Sequence, residues 1–278
     1  GGSHGDSVYG IFGIQYLTEV RYMNNKSYKH WMIVFLMCCL AASSIGLCTN
    51  AIGVFYTPVA KSLKVLKGTF ADTMNEYNQA GGITMLGYAD AGFRELTTNK
   101  EVHQLSDLKG QNIRVMTNPY HIAYWKAVGA NAVSMEFTEV FMGLQQGTID
   151  GQENPYMNIV SNNVQEVQKY VVETDHVGHV ITFFMNNALY KSLPKDVREL
   201  VDECAADAID YGNEIADESI TSYKQTCLDA GCEIITLDDD VKAQLKEKAG
   251  VVYDMVRKNL GNEIVDDAFD AVEEAKKE

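Results

Sequence analysis

Between Pro194 and Gly231 the chain carries one sustained helical pattern. Val197, Leu200, Val201, Cys204, Ala208, Tyr211, Ile215, Tyr223 and Cys227 recur at three- and four-residue steps. Pro194 suits a first helical position and Gly231 a stop, with Gly212 as a place for a bend. About 36 residues at 1.5 Å each make a rod about 54 Å long. Such a rod is as long as a whole domain or longer, so the remaining elements must be arranged along it. The 278 residues suffice for one large domain or for two lobes of ordinary size.

Ahead of this rod the text alternates between short apolar strands and helices. A helix is expected over Ala71–Gln79, ended by Gly81 and Gly82, and a strand over Ile83–Tyr88. Turn residues at Ser106–Gly110 precede a strand at Asn112–Met116. A helix over Pro119–Val128 stops at Gly129, and a strand follows at Asn131–Met135. Thr138 is placed to cap a helix over Glu139–Gln146, closed by Gly147, with a short strand at Thr148–Asp150. After the rod, Leu237-Asp238-Asp239-Asp240 starts another helix with acids at its N-terminus. Strands alternating with helices predict an α/β fold around a mainly parallel sheet.

Charge divides the chain. Residues 1–70 carry six basic side chains against Asp6 and Glu19, a net of +4; residues 71–278 carry 17 basic against 36 acidic, a net of −19. The total of −15 argues against nucleic acid as a partner, because little here could neutralise phosphates. The basic segment contains Trp31–Phe55, 25 residues without a charge, preceded by Lys26, Lys29 and His30. That run is long enough to cross a bilayer. It reads either as a signal peptide cut near Ala41–Ser44 or as an uncut membrane helix, and its length favours the helix. The stretch Asn24–Phe70 also resembles the first membrane helix and following loop of major facilitator superfamily transporters. Residues 1–23 carry no pattern that assigns them.

Chemistry-bearing motifs are scarce. No nucleophile elbow, zinc-protease helix or phosphate loop occurs, and none of the six cysteines sits in a zinc-like spacing. Cys227 and Cys232 could pair in an exported chain or stay free. His176 and His179, with Asp175 beside them, suit a metal less well than ordinary hydrogen-bonded roles. A hydrolase built on Asp150, Glu153 and His176 is disfavoured, because the acids read as part of a turn with no nucleophile nearby. No cofactor is expected. Arg94 and Arg114 stand apart: each follows a short apolar strand, where strand ends face a crevice, and each offers a fork that fits a carboxylate.

From about Gly87 to Leu260 the chain resembles the solute-binding proteins of TRAP transporters, the tripartite ATP-independent periplasmic family of DctP type. The resemblance lies in GFRELTTNK (92–100), SDLKGQNIRVM (106–116), AVGANAVSMEFTEVFMGLQQGTIDGQENP (127–155), EVQKY (166–170), TDH (174–176) and NNALYKSLP (186–194). It implies a two-lobed periplasmic-binding-protein-like fold whose long helix spans both lobes. It further implies an organic acid as ligand and membrane subunits of the transporter as partners. By the same resemblance Arg114 clamps the carboxylate, Arg94 and Asn154 support it, Phe137 lines the cleft, and Asn118 contributes. The resemblance leaves out the family's first strands, so an incomplete N-terminal lobe with exposed strand edges is expected. The domain reading is therefore 1–23 unassigned, 24–70 signal-like or transmembrane, and 71–278 a partial solute-binding domain. The function expected is an extracytoplasmic receptor, truncated or membrane-anchored, that performs no chemistry. The alternative is a misassembled or engineered fusion of a transporter helix with a receptor remnant.

Overall fold

The computed structural model describes residues 68–275. The uncharged run Trp31–Phe55 and the leader 1–23 lie outside the described residues. Among those described, no helix is long and apolar enough to cross a membrane.

The chain opens with α1 (Gly68–Ala80), turns at Gly81 and Gly82, and enters β1 (Ile83–Thr98). Then follow β2 (Asn112–Val115), α2 (Pro119–Ala127), β3 (Asn131–Ser134) and α3 (Val140–Gln145). Next come β4 (Gly151–Pro155), α4 (Tyr156–Ser161), β5 (Tyr170–Asn186), α5 (Asn187–Ser192) and the rod α6 (Lys195–Asp229). Then β6 (Glu233–Thr236), α7 (Asp239–Lys248), α8 (Gly250–Leu260) and α9 (Glu263–Ala275) complete the described chain. The rod is a single 35-residue helix, as its spacing predicts, with Pro194 one position earlier than expected, at the N-cap.

The six strands form one sheet in the order β3-β2-β4-β1-β5-β6. It is mixed rather than mainly parallel. β2 runs parallel to β3 and β4, and β5 to β6, but β1 is antiparallel to both β4 and β5. Strand periodicity alone missed this because β1 runs far past the short apolar stretch, Ile83–Tyr88, that announces it. β1 continues past Tyr88 to Thr98; from Phe93 onward its residues are buried on both faces, so no alternation marks them. Thr148–Asp150 is not a strand. The strand is the next segment, Gly151–Pro155, which its Asp-Gly and Asn-Pro pairs disguise as a turn. Thr138 does not cap α3: it lies within a 3-10 turn, Phe137–Glu139, and no side chain bonds at that cap.

Helices cover both faces of the sheet. On one face Leu96, Ile113, Val115 and Val172 pack with Trp125 of α2, Leu245 of α7, Val256 of α8 and Val265 of α9. On the other, Val171 packs with Leu144 of α3, Ile159 of α4 and Cys227 of α6. Burying each such aliphatic side chain contributes about 1.5–3 kcal/mol. Cys204, Cys227 and Cys232 are buried free thiols. The first half of β1 has β5 on one side and, among the described residues, no strand on the other.

Gly151 is where β4 meets β1 most closely. A Cβ there would stand 2.2 Å from the Thr97 carbonyl oxygen, and both groups are held by the ladder. Gly151→Ala is therefore expected to cost about 3 kcal/mol or more. Denaturant unfolding checks this; unchanged stability would show that β4 can swing away from β1.

Candidate functional site

Adjacent residues of one strand face opposite sides of a sheet, so the middle of β1 and the end of β4 can furnish a polar centre between two apolar layers. Arg94 on β1 is 2% exposed. Its Nε donates to Glu153 Oε2 at 2.5 Å. Its Nη2 donates to Glu153 Oε1 at 3.0 Å, to the Glu153 carbonyl at 2.6 Å, and to Asn154 Oδ1 at 3.0 Å. Nη1 lies 3.5 Å from His179 Nδ1. Arg94 is thus held by the fork geometry that makes Arg–carboxylate pairs directional.

Glu153 is fully buried and gathers further donors. His176 Nε2 donates to Oε2 at 3.0 Å, and His121 Nδ1 lies 3.4 Å from Oε1. Burial alone would raise the Glu153 carboxyl, but Arg94, then His121 and His176, outweigh it and hold it well below the usual carboxylate range. With Nε2 carrying the proton, His176 Nδ1 accepts from Thr174 Oγ1 at 2.7 Å. Tyr124 stacks on that ring at 5.5 Å and Trp125 meets its edge at 5.1 Å. Burial, then the charge of Arg94, lowers His179 to about 3 and keeps it neutral.

Arg114, on β2, is 3% exposed but has no carboxylate within ion-pair distance among the described residues. Nε and Nη2 donate to the Met135 carbonyl at 2.9 and 2.7 Å, and Cζ lies 5.3 Å from the Phe137 ring centroid. Burial lowers its pKa, outweighing the more distant charge of Glu153, which records how costly this buried charge is. Four residues on, the Asn118 side chain caps α2: Oδ1 accepts from the Tyr120 N–H at 2.9 Å. Its Nδ2 is buried with no hydrogen-bond partner among the described residues. Asn154 Nδ2 donates to Gln152 Oε1 at 2.5 Å.

The structure therefore joins Arg94 directly to Asn154, and Arg114 to Phe137. It places Asn118 at the end of the loop that leaves β2. Sequence reasoning gave Glu153 and His176 to a disfavoured hydrolase with Asp150. Asp150 instead lies apart from them, accepting from the Asn112 N–H at 2.8 Å and pairing with Lys100 at 3.0 Å. His121 carried no signal: a lone His on a helix shows nothing of the carboxylate it meets in the fold. His176, His179 and Asp175 do not converge on a metal. Asp175 pairs with Lys242, and His176 is the hydrogen-bonded side chain expected.

A family model described as bacterial extracellular solute-binding protein, family 7, matches residues 46–259. The C4-dicarboxylate-binding periplasmic protein of Rhodobacter capsulatus is 31% identical over 205 residues, 73% of this chain and 61% of that protein. The 2,3-diketo-L-gulonate-binding periplasmic protein of Escherichia coli is 31% identical over 206 residues, 74% and 62%. The chain spans less than two thirds of the length of these relatives. Among solved structures, a TRAP periplasmic solute-binding protein of Shewanella oneidensis with bound succinate superposes with a TM-score of 0.73 at 30% identity, covering 81% of this chain and 74% of that one. One from Haemophilus influenzae with bound L-gulonate gives 0.72 at 27% identity, covering 86% and 77%.

Proposed function

Because the chain belongs to the bacterial extracellular solute-binding proteins of family 7, we propose that it binds an organic acid and presents it to the membrane subunits of a TRAP transporter. The observation that carries this is Arg114, a buried guanidinium with donors to spare and no carboxylate within ion-pair distance among the described residues. A solute carboxylate supplies the missing charge. Asn118 Nδ2 supplies a donor that the fold leaves unused. In this reading Arg94 and Asn154, bonded to each other, supply a fixed polar wall, and Phe137, against Arg114, closes an apolar side. One charged group, a few amides and an apolar wall make up the usual composition of a small-molecule site. The relatives' names and bound ligands support dicarboxylates and sugar acids as the solute class.

In this reading the protein works outside the cytoplasm and carries out no reaction. The uncharged run Trp31–Phe55 supports a leader or anchor, whereas the family match from residue 46 supports counting the end of that run with the binding domain.

Thermal unfolding of the chain with succinate, L-gulonate and galactonate tests the reading. A ligand at a hundred times its Kd stabilises by about 2.7 kcal/mol, a rise of about 5–10 °C for a domain of this size. If no acid moves the transition, the proposal fails and the remnant reading takes its place.

A further inference from the structure

Glu95 follows Arg94 on β1 and is 4% exposed, opposite Asn154 of β4. Its Oε2 accepts the backbone N–H of Asp175 at 3.0 Å. The charged and titratable groups around it come from four elements: Asp175 and Glu173 on β5, Tyr156 on α4, Lys224 on α6 and Lys242 on α7. Both lysines are already engaged, Lys242 with Asp175 and Lys224 with Glu173, each at 2.5 Å. Glu173 also accepts from Thr236 at 2.7 Å and from Tyr156 at 3.3 Å. Three carboxyl groups thus face two ammonium groups, and Glu95 bonds to neither lysine. A negative charge on buried Glu95 would stand without a counter-ion, so Glu95 keeps a proton. Burial, then the charge of Asp175, pushes the Glu95 carboxyl well above the usual range.

The backbone here departs from a regular ladder. Arg94 pairs with Val177 while Leu96 pairs with Val172, so β5 advances five residues while β1 advances two. Asp175, inside this bulge, takes a left-handed φ of 46°. The next residue, His176, holds the carboxylate that fixes Arg94.

We propose that Glu95 keeps a proton inside this bulge, and that the neutral carboxyl, held on the Asp175 N–H, is a latch that keeps the bulge, His176 and Arg94 in place. The latch goes beyond solute binding, and its test needs no solute.

Because the Glu95 value is raised on folding, its stabilisation is complete below the ordinary glutamate range. It is lost as pH rises toward the folded value. Glu95→Gln keeps an acceptor for the Asp175 N–H and, like the protonated acid, carries no charge. Raising the pH from about 5 to about 9 is expected to destabilise the wild-type full chain relative to Glu95→Gln, by up to about tenfold in the folding constant per pH unit. Amide exchange at Asp175 and His176 should quicken at least about tenfold in Glu95→Ala and stay slow in Glu95→Gln, a rescue that simple loss of packing would not give. Should the variants not fold, carbon-13 NMR of the wild-type Glu95 carboxyl reads the proton directly, and a neutral group at pH 7 is expected. A constant difference between wild type and Glu95→Gln across the pH range, or an ionised Glu95 at pH 7, overturns the proposal.

Discussion

Arg114→Ala is expected to weaken binding of the acid that raises the unfolding transition severely, while the fold remains. Removing one member of a buried, hydrogen-bonded charge pair costs about 2–5 kcal/mol, so affinity should fall about thirtyfold to several thousandfold. Isothermal titration calorimetry with the stabilising acid reads this loss. Arg114→Lys separates charge from shape. It keeps the positive group but loses the fork, and the two bonds to the Met135 carbonyl cannot both survive. It should therefore bind far more weakly than wild type. Unchanged affinity in Arg114→Ala would remove Arg114 from the site and shift attention to Arg94. The fold should tolerate the change, because Arg114 bonds only to a carbonyl and leaves no carboxylate unpaired.

Glu153→Gln has the opposite profile, with a large effect on stability. Its carboxylate is the counter-charge of a guanidinium that is 2% exposed, and both histidines bond to it as well. Breaking such a pair on one side leaves an uncompensated buried charge and costs about 3–5 kcal/mol. Urea unfolding at neutral pH measures it, and a loss under about 1 kcal/mol would mean that solvent reaches Arg94. The pH dependence gives a second signature. The Glu153 carboxyl is held well below its ordinary value of 4.5, so the stability it contributes is present above that value and lost as pH falls through the folded one. The acid limb of the stability curve should therefore flatten in Glu153→Gln.

What the sequence made legible follows from the range of the signals. The rod α6 was readable because 35 residues repeat one local pattern. The helices around Pro119 and Asp239 were readable from their ends: Pro119 at the first position, Asp238 at the cap. β4 was misread because Gly151 serves close approach to another strand rather than a turn, and a single chain of letters does not show which strand that is. The site shows the same division. Arg114 and Arg94 stood out by residue type at strand ends, and the family resemblance selected Asn154. The unpaired state of Arg114, the engagement of Arg94 by Glu153, and the role of His121 depend on partners 21 to 59 residues away.

The antiparallel pairing of β1 with β5 also sets the order in which this protein can assemble. The β2–α2–β3 unit closes over short stretches of chain, but Thr84 meets Asn187 across 103 residues. Loop closure of that size is paid before its contacts form, so β1 docks late. Arg94 rides on β1, and its pairing with Glu153 spans 59 residues. A nascent chain can thus carry Arg94 from early on, yet cannot fix the strand that bears it until the whole of β5 has emerged.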